Sequence, residues 1–130
     1  YQIGKTLPEK DPANRAFIQY NKEKKVTKLQ EKLNLRKSFY SEDELNTIIV
    51  SVNLFYLQPE IMRDVCSYVI DQYETTEEIM LPNMMNNMIT NNDLEIQYIS
   101  SSGDWQGVTY QEDVKSVRLS LKKSCKTFLV

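Results

Sequence analysis

Between Ser41 and Tyr73 the chain carries its densest apolar run, SEDELNTIIVSVNLFYLQPEIMRDVCSYVIDQY, divided by one proline. Ser41 followed by Glu42, Asp43 and Glu44 has the pattern of a capping box. In it the serine hydroxyl accepts from the third helical N–H while Glu44 reaches back to the cap. Acids in a first turn also complement the positive end of the helix dipole. Behind the cap, Leu45, Ile48, Ile49, Val52, Phe55 and Tyr56 recur at steps of three and four, which predicts a helix running to Pro59. A rival pattern overlaps it: Ile48, Val50, Val52, Leu54 and Tyr56 alternate, and β-branched residues favour a strand. The cap decides for the helix. Pro59 ends that element, because it has no N–H to donate, and it suits the first position of the next helix. Over residues 59–73, Ile61, Met62, Val65, Cys66, Val69, Ile70 and Tyr73 fall on one stripe, with Arg63, Asp64, Asp71 and Gln72 off it. The two elements predict a central antiparallel helix pair whose stripes form the core.

A chain of 130 residues, 41% hydrophobic, has material for one domain with a real core. It contains no apolar run of membrane-spanning length and no signal-peptide pattern. The first residue is Tyr1, so the chain reads as a single domain taken from a longer protein. Cys66 and Cys125 are the only cysteines. Cys66, on the apolar stripe, reads as a small buried hydrophobe, and the pair as free thiols of an intracellular protein, nuclear or cytoplasmic. The chain has no histidine. That excludes a Ser-His-Asp or Cys-His catalytic arrangement and leaves an ordinary zinc site close to excluded. Gly4, Gly103 and Gly107 form no phosphate-cradling loop. The expectation is a non-enzymatic chain without a cofactor.

Charge is sorted along the sequence. Residues 1–40 carry a net charge of +6, residues 41–113 a net −13, and residues 114–130 a net +5. Either the flanks fold against the acidic middle, or a basic edge and an acidic face meet different partners. Lys22, Lys24, Lys25, Lys28, Lys32, Arg36 and Lys37 form the candidate basic surface, with Tyr20, Phe39 and Tyr40 at its borders. Basic side chains interleaved with aromatics suit a nucleic-acid backbone and stacked bases. Glu23 and Glu31 interrupt the run, and lysine dominates over the arginine that reads base edges, so a solvated face explains it as well.

Residues 1–11 lack periodicity and read as an extended N-terminal arm. From Asp11-Pro12 onward, Ala13, Ala16, Phe17 and Tyr20, then Val26, Leu29 and Leu33, step at three and four. This favours helix over 13–33, although FIQY and VTKLQ also read as strands around the turn NKEKK. Thr75-Thr76-Glu77-Glu78 repeats the capping signature. Met84, Met85, Met88 and Ile89 then continue an apolar face, as core filler or as an adaptable partner groove. LEIQYI (94–99) alternates as a strand. Thr109 with Glu112 starts a helix over 112–121, which an alternating Val117, Leu119 and Leu121 would make a strand instead. Residues 127–130 read as a closing strand. The expected fold is α+β: a helix-rich domain with a central helix pair and a small sheet built mainly from C-terminal strands.

Two fragments resemble the later half of sugar-phosphate nucleotidyltransferase domains. KVTKLQEKL (25–33) is similar to their glycosyl-phosphate segment, with Leu33 where a proline is usual. GDWQGVTYQEDVKSV (103–117) is similar to their closing strand, turn and helix. The early glycine-rich nucleotide loop and metal-binding aspartate of that family are missing. The resemblance therefore implies a truncated or non-catalytic relative.

The residues themselves point first to a protein–protein interaction module for recruitment or scaffolding, with another protein as partner. Tyrosine, methionine and tryptophan supply interface area at little entropic cost. Trp105 and Tyr110 are the expected anchors, with Asp104, Glu112 and Asp113 as an acidic rim. Nucleic-acid binding through residues 22–37 is the alternative.

Overall fold

The computed structural model describes residues 1–73, 79–103, 105–108, 111 and 113–127, with Ser116 and residues 123–127 as backbone only. Asn21 sets its first long-range feature. The Asn21 Oδ1 accepts from the backbone N–H groups of Glu23 (2.9 Å) and Lys25 (3.0 Å), and Lys24 takes a left-handed φ of 62°. A short side chain that bonds its own backbone closes a tight turn. Here it joins β1 (Ala13–Tyr20) to β2 (Val26–Leu35) as an antiparallel hairpin. β2 has ten residues against eight in β1, and register shifts at Ala13/Arg15 and at Gln19/Tyr20 absorb the surplus. Asn34 lies at the first shift, with φ 56°, and donates its N–H to Asn14 Oδ1 at 3.0 Å.

The helix expected over 13–33 is therefore a hairpin. The second register shift explains the misleading pattern. It leaves Val26 and Leu29 both buried although they stand three residues apart, which imitates a helical step.

β3 (Val50–Ser51) adds to the other edge of β1 and gives the strand order β2-β1-β3. The described sheet thus lies within residues 13–51, not in the C-terminal region. LEIQYI contributes one antiparallel bridge, Gln97 to Lys25, supported by Val26 N–H donating to Ile96 O at 2.8 Å and Tyr98 N–H donating to Lys24 O at 3.2 Å. Of the expected closing strand, Thr127 ends a helix and residues 128–130 lie outside the described residues.

The capping box forms as its residues predict. Ser41 Oγ accepts from Glu44 N–H at 3.3 Å, and Ser41 N–H donates to Glu44 Oε2 at 2.8 Å, opening α1 (Glu42–Thr47). The helix then stops after six residues, and the central antiparallel helix pair does not form. β-branched Ile48, Ile49 and Val50 are taken up by pairing instead. Ile18 N–H donates to Ile49 O at 3.0 Å, and Val50 stands opposite Phe17. Ser41→Ala is expected to cost about 1 kcal/mol of stability, the usual worth of such a cap. The two bonds from Ser41 hold the Glu44 carboxyl below its ordinary pKa. A depressed folded pKa contributes stability above the unfolded pKa that is lost as pH falls through the folded one. The gap between wild type and Ser41→Ala, read from urea midpoints, should therefore narrow in acid.

Three further helices follow: α2 (Pro59–Tyr73), α3 (Leu81–Thr90) and α4 (Asp113–Thr127). The capping signature at 75–78 lies outside the described residues. Successive strand residues point to opposite faces, so the sheet carries two cores. On the Ala16 face, Val26 and Leu29 pack with Met84, Met85 and Met88 of α3, Val65 of α2 and Leu94. The methionines are core. On the Phe17 face, Leu35 and Val50 pack with Ile3 and Leu7, and with Tyr40, Leu45 and Ile48 around α1. Residues 1–11 are not simply an extended arm: Ile3–Lys5 make a 3-10 turn, and Ile3, Thr6 and Leu7 are buried. The architecture is α+β, with helices around a three-stranded antiparallel sheet.

Candidate interaction surface

The α2 stripe is wider than the core it meets. At 100° per residue its seven apolar positions span roughly half the helix circumference, and the sheet takes up only one side. Val65 is buried, with Ile61, Tyr68 and Val69 half-buried beside it. Met62 (47% exposed), Cys66, Ile70 (70%) and Tyr73 (77%) form a second row at steps of four, four and three, and that row faces solvent. The expectation that Cys66 is buried is thereby corrected: it is a free, exposed thiol. Arg63, Asp64 and Asp71 occupy the remaining arc.

The segment leading into α2 repeats the theme. Residues 52–58 belong to no helix or strand, and Asn53 turns the chain with φ 59°. Phe55 and Leu57 pack against the methionine core, while Leu54 (86% exposed) and Tyr56 (96%) point outward. Large apolar side chains are thus exposed on two stretches that follow one another in the chain, and exposed apolar side chains that gather in a patch mark interaction sites. Sequence reasoning placed Tyr56, Met62, Cys66, Ile70 and Tyr73 on the core stripes, and Leu54 only in the rival alternating pattern. The signal that separates them is the width of the stripe, since a helix lying on a sheet needs little more than a third of its circumference to be apolar.

The residues expected to anchor a partner fall elsewhere. Trp105 is half-buried, with the Arg15 guanidinium 4.6 Å from its ring centroid. The indole folds back over Gly107, where a Cβ would come within 2.1 Å of the ring. Trp105 and Asp113 both line a groove of about 950 Å³, walled mainly by residues 4–15. Asp104, Tyr110 and Glu112 lie outside the described residues. Arg15 donates to the carbonyls of Asn14 (2.6 Å) and Thr6, while its buried Nε and Glu31 Oε2 have no hydrogen-bond partner among the described residues. Burial lowers the pKa of Arg15 and raises that of Glu31, and the attraction between the two opposes both shifts. The Trp105 ring thus serves an internal contact, covering a desolvated cation.

The basic run is divided by its contacts. Lys25 binds Glu95 at 3.0 Å, which raises its pKa, and lies 3.7 Å from Glu23. Lys37 pairs with Glu9, and Arg36 donates to Lys10 O at 2.9 Å. Lys28 and Lys32 share the Phe17 face of the hairpin, with the Lys32 ammonium 4.2 Å from the Phe17 ring centroid. Lys22 and Lys24 are exposed at the turn. The seven cations do not form one stripe.

Among the described residues there is no cluster of three Cys, Asp or Glu side chains placed to hold a metal. No helix among them is long and apolar enough to cross a membrane. No family model matches the chain, and no curated protein matches it either. The partial resemblance to nucleotidyltransferases therefore gains no support from these comparisons.

Proposed function

We propose that this chain is a non-enzymatic protein-interaction module of an intracellular protein, and that it binds through the outer row of α2 together with Leu54 and Tyr56. The observation that carries the reading is the exposure of Ile70, Tyr73, Leu54 and Tyr56 on adjoining stretches beside a completed core. Burying such side chains is worth about 1.5–3 kcal/mol each, so a few suffice to anchor a partner. Of the expected anchors, Trp105 is secondary in this reading, and Tyr110 lies outside the described residues. The Trp105 ring already has the Arg15 guanidinium against it.

The test is affinity capture with wild type and three variants, each with and without nuclease. Ile70→Glu with Tyr73→Glu should abolish capture of a protein partner while leaving the fold intact, because both side chains are exposed. Trp105→Ala, and Lys22→Glu with Lys24→Glu and Lys28→Glu, should retain it. Capture that disappears with nuclease and with the lysine reversals would overturn the reading in favour of nucleic acid, whose affinity also falls steeply with salt.

A further inference from the structure

We infer that a hollow beside α4 binds a free single-chain amphiphile with an anionic head, such as a fatty acid. The site is separate from the α2 surface and does not depend on it. The hollow measures about 360 Å³, at the small end of ligand pockets, and is lined by Val108, Val114, Val117, Arg118, Leu121 and Lys122. Apart from Val108, these residues recur at steps of three and four along α4, so one helix face supplies most of the wall. Val108, Val114 and Leu121 are exposed. The surface of the hollow is almost wholly apolar. Arg118 and Lys122 therefore line it with their methylene stems, and their charged heads stand at its rim.

Shape and charge select the occupant. A peptide strand entering an apolar hollow would bury backbone N–H and C=O groups without partners, which is costly. A helix satisfies its own backbone but is about 10–12 Å across, too broad for so small a hollow. An alkyl chain meets both limits, since it is narrow and needs no hydrogen bond. The two cations set the head. Arg118 and Lys122 are four residues apart and so neighbours on the helix, and neither makes an ion pair among the described residues. After Asp113, α4 carries Lys115, Arg118, Lys122, Lys123 and Lys126 and no acid, so this helix attracts a carboxylate at the rim and repels an ammonium. The free amphiphile fits better than a bilayer, which holds its chains behind a layer of head groups and would have to give one up.

Isothermal titration calorimetry of the full chain with dodecanoate, kept below its micelle concentration, tests this. Dodecanoate should bind at one site per chain. Dodecylammonium, with the same tail and the opposite charge, should bind at least about tenfold more weakly. Arg118→Gln with Lys122→Gln should weaken dodecanoate about tenfold, the worth of one charge-assisted hydrogen bond. Leu121→Gln should weaken it by making the wall polar. Lys115→Gln, off the lining, is the control for net charge and should change little. All four positions are exposed, so the variants should keep the fold, which circular dichroism checks. No binding of dodecanoate, equal binding of dodecylammonium, or an affinity indifferent to both the rim and the wall variants would each overturn the inference. Vesicles of phosphatidylcholine with phosphatidylserine form the second arm. A chain that binds them through Arg118 and Lys122 but takes up no dodecanoate would overturn the pocket in favour of a membrane surface.

Discussion

Met85→Ala is expected to lower the unfolding free energy by about 2–5 kcal/mol, the usual cost of removing a large buried side chain and leaving a cavity. Met85, on α3, is 0% exposed and shares the core with Val26 and Leu29 of the hairpin, beside Met84 and Met88. The site has little means of collapsing around the gap. Leu29 opposite is fixed in its strand, where its N–H donates to Asn86 Oδ1 of α3 at 2.9 Å. Because a domain of this size is stable by only about 5–15 kcal/mol, the loss should be plain as a drop in urea midpoint with an unchanged slope. Met62→Ala, on the exposed row of α2, is the matched control and should cost well under 1 kcal/mol. Equal effects at the two methionines would mean that the buried and exposed sides of the helices are wrongly assigned.

Gly4→Ala should also destabilise the protein, by about 1–3 kcal/mol. A Cβ at Gly4 would stand 2.9 Å from the carbonyl oxygen of Leu45 and 3.0 Å from its Cβ. The obstacle is α1 backbone, which cannot swing aside. It is tied to the N-terminal turn by Ile3 N–H donating to Ile48 O at 2.9 Å and Gln2 Nε2 donating to Asn46 O at 2.6 Å. No glycine in the described chain has a positive φ, so the penalty is steric, not torsional. Loss of unfolded-state freedom returns about 0.4–1 kcal/mol of it. Gly103→Ala is the control: its nearest neighbour is Ser101 Oγ at 3.8 Å, so it should be neutral or slightly stabilising. Thermal unfolding of the two variants side by side separates close approach at Gly4 from a general intolerance of alanine.

Local chemistry was the legible part of this sequence. Ser41 with Glu44 states its cap in four residues, Pro59 marks the start of α2, and both features depend on nearby backbone alone. What escaped depends on partners distant in sequence. Ile48, Ile49 and Val50 leave the helical path because β1 offers an edge thirty residues earlier, and nothing near them announces it. The hairpin was obscured by two extra residues in β2, which break the period-two rhythm that identifies a strand. Of the candidate sites, Trp105 and Asp113 do line one groove, yet Arg15, the residue that occupies the indole face, gave no sign of that role. Ile70 and Tyr73 were legible as apolar and illegible as exposed. Which half of a broad stripe meets the core is decided by the sheet beneath it.

Cys66 lies in the middle of that exposed row, and its reaction with a thiol reagent is the most direct measurement. In a Cys125→Ser background, the folded protein alone should be labelled without denaturant, at a rate approaching that of the unfolded chain. Labelling should slow markedly once the partner is bound. A thiol that reacts only after unfolding would place the row inside the core and contradict the account.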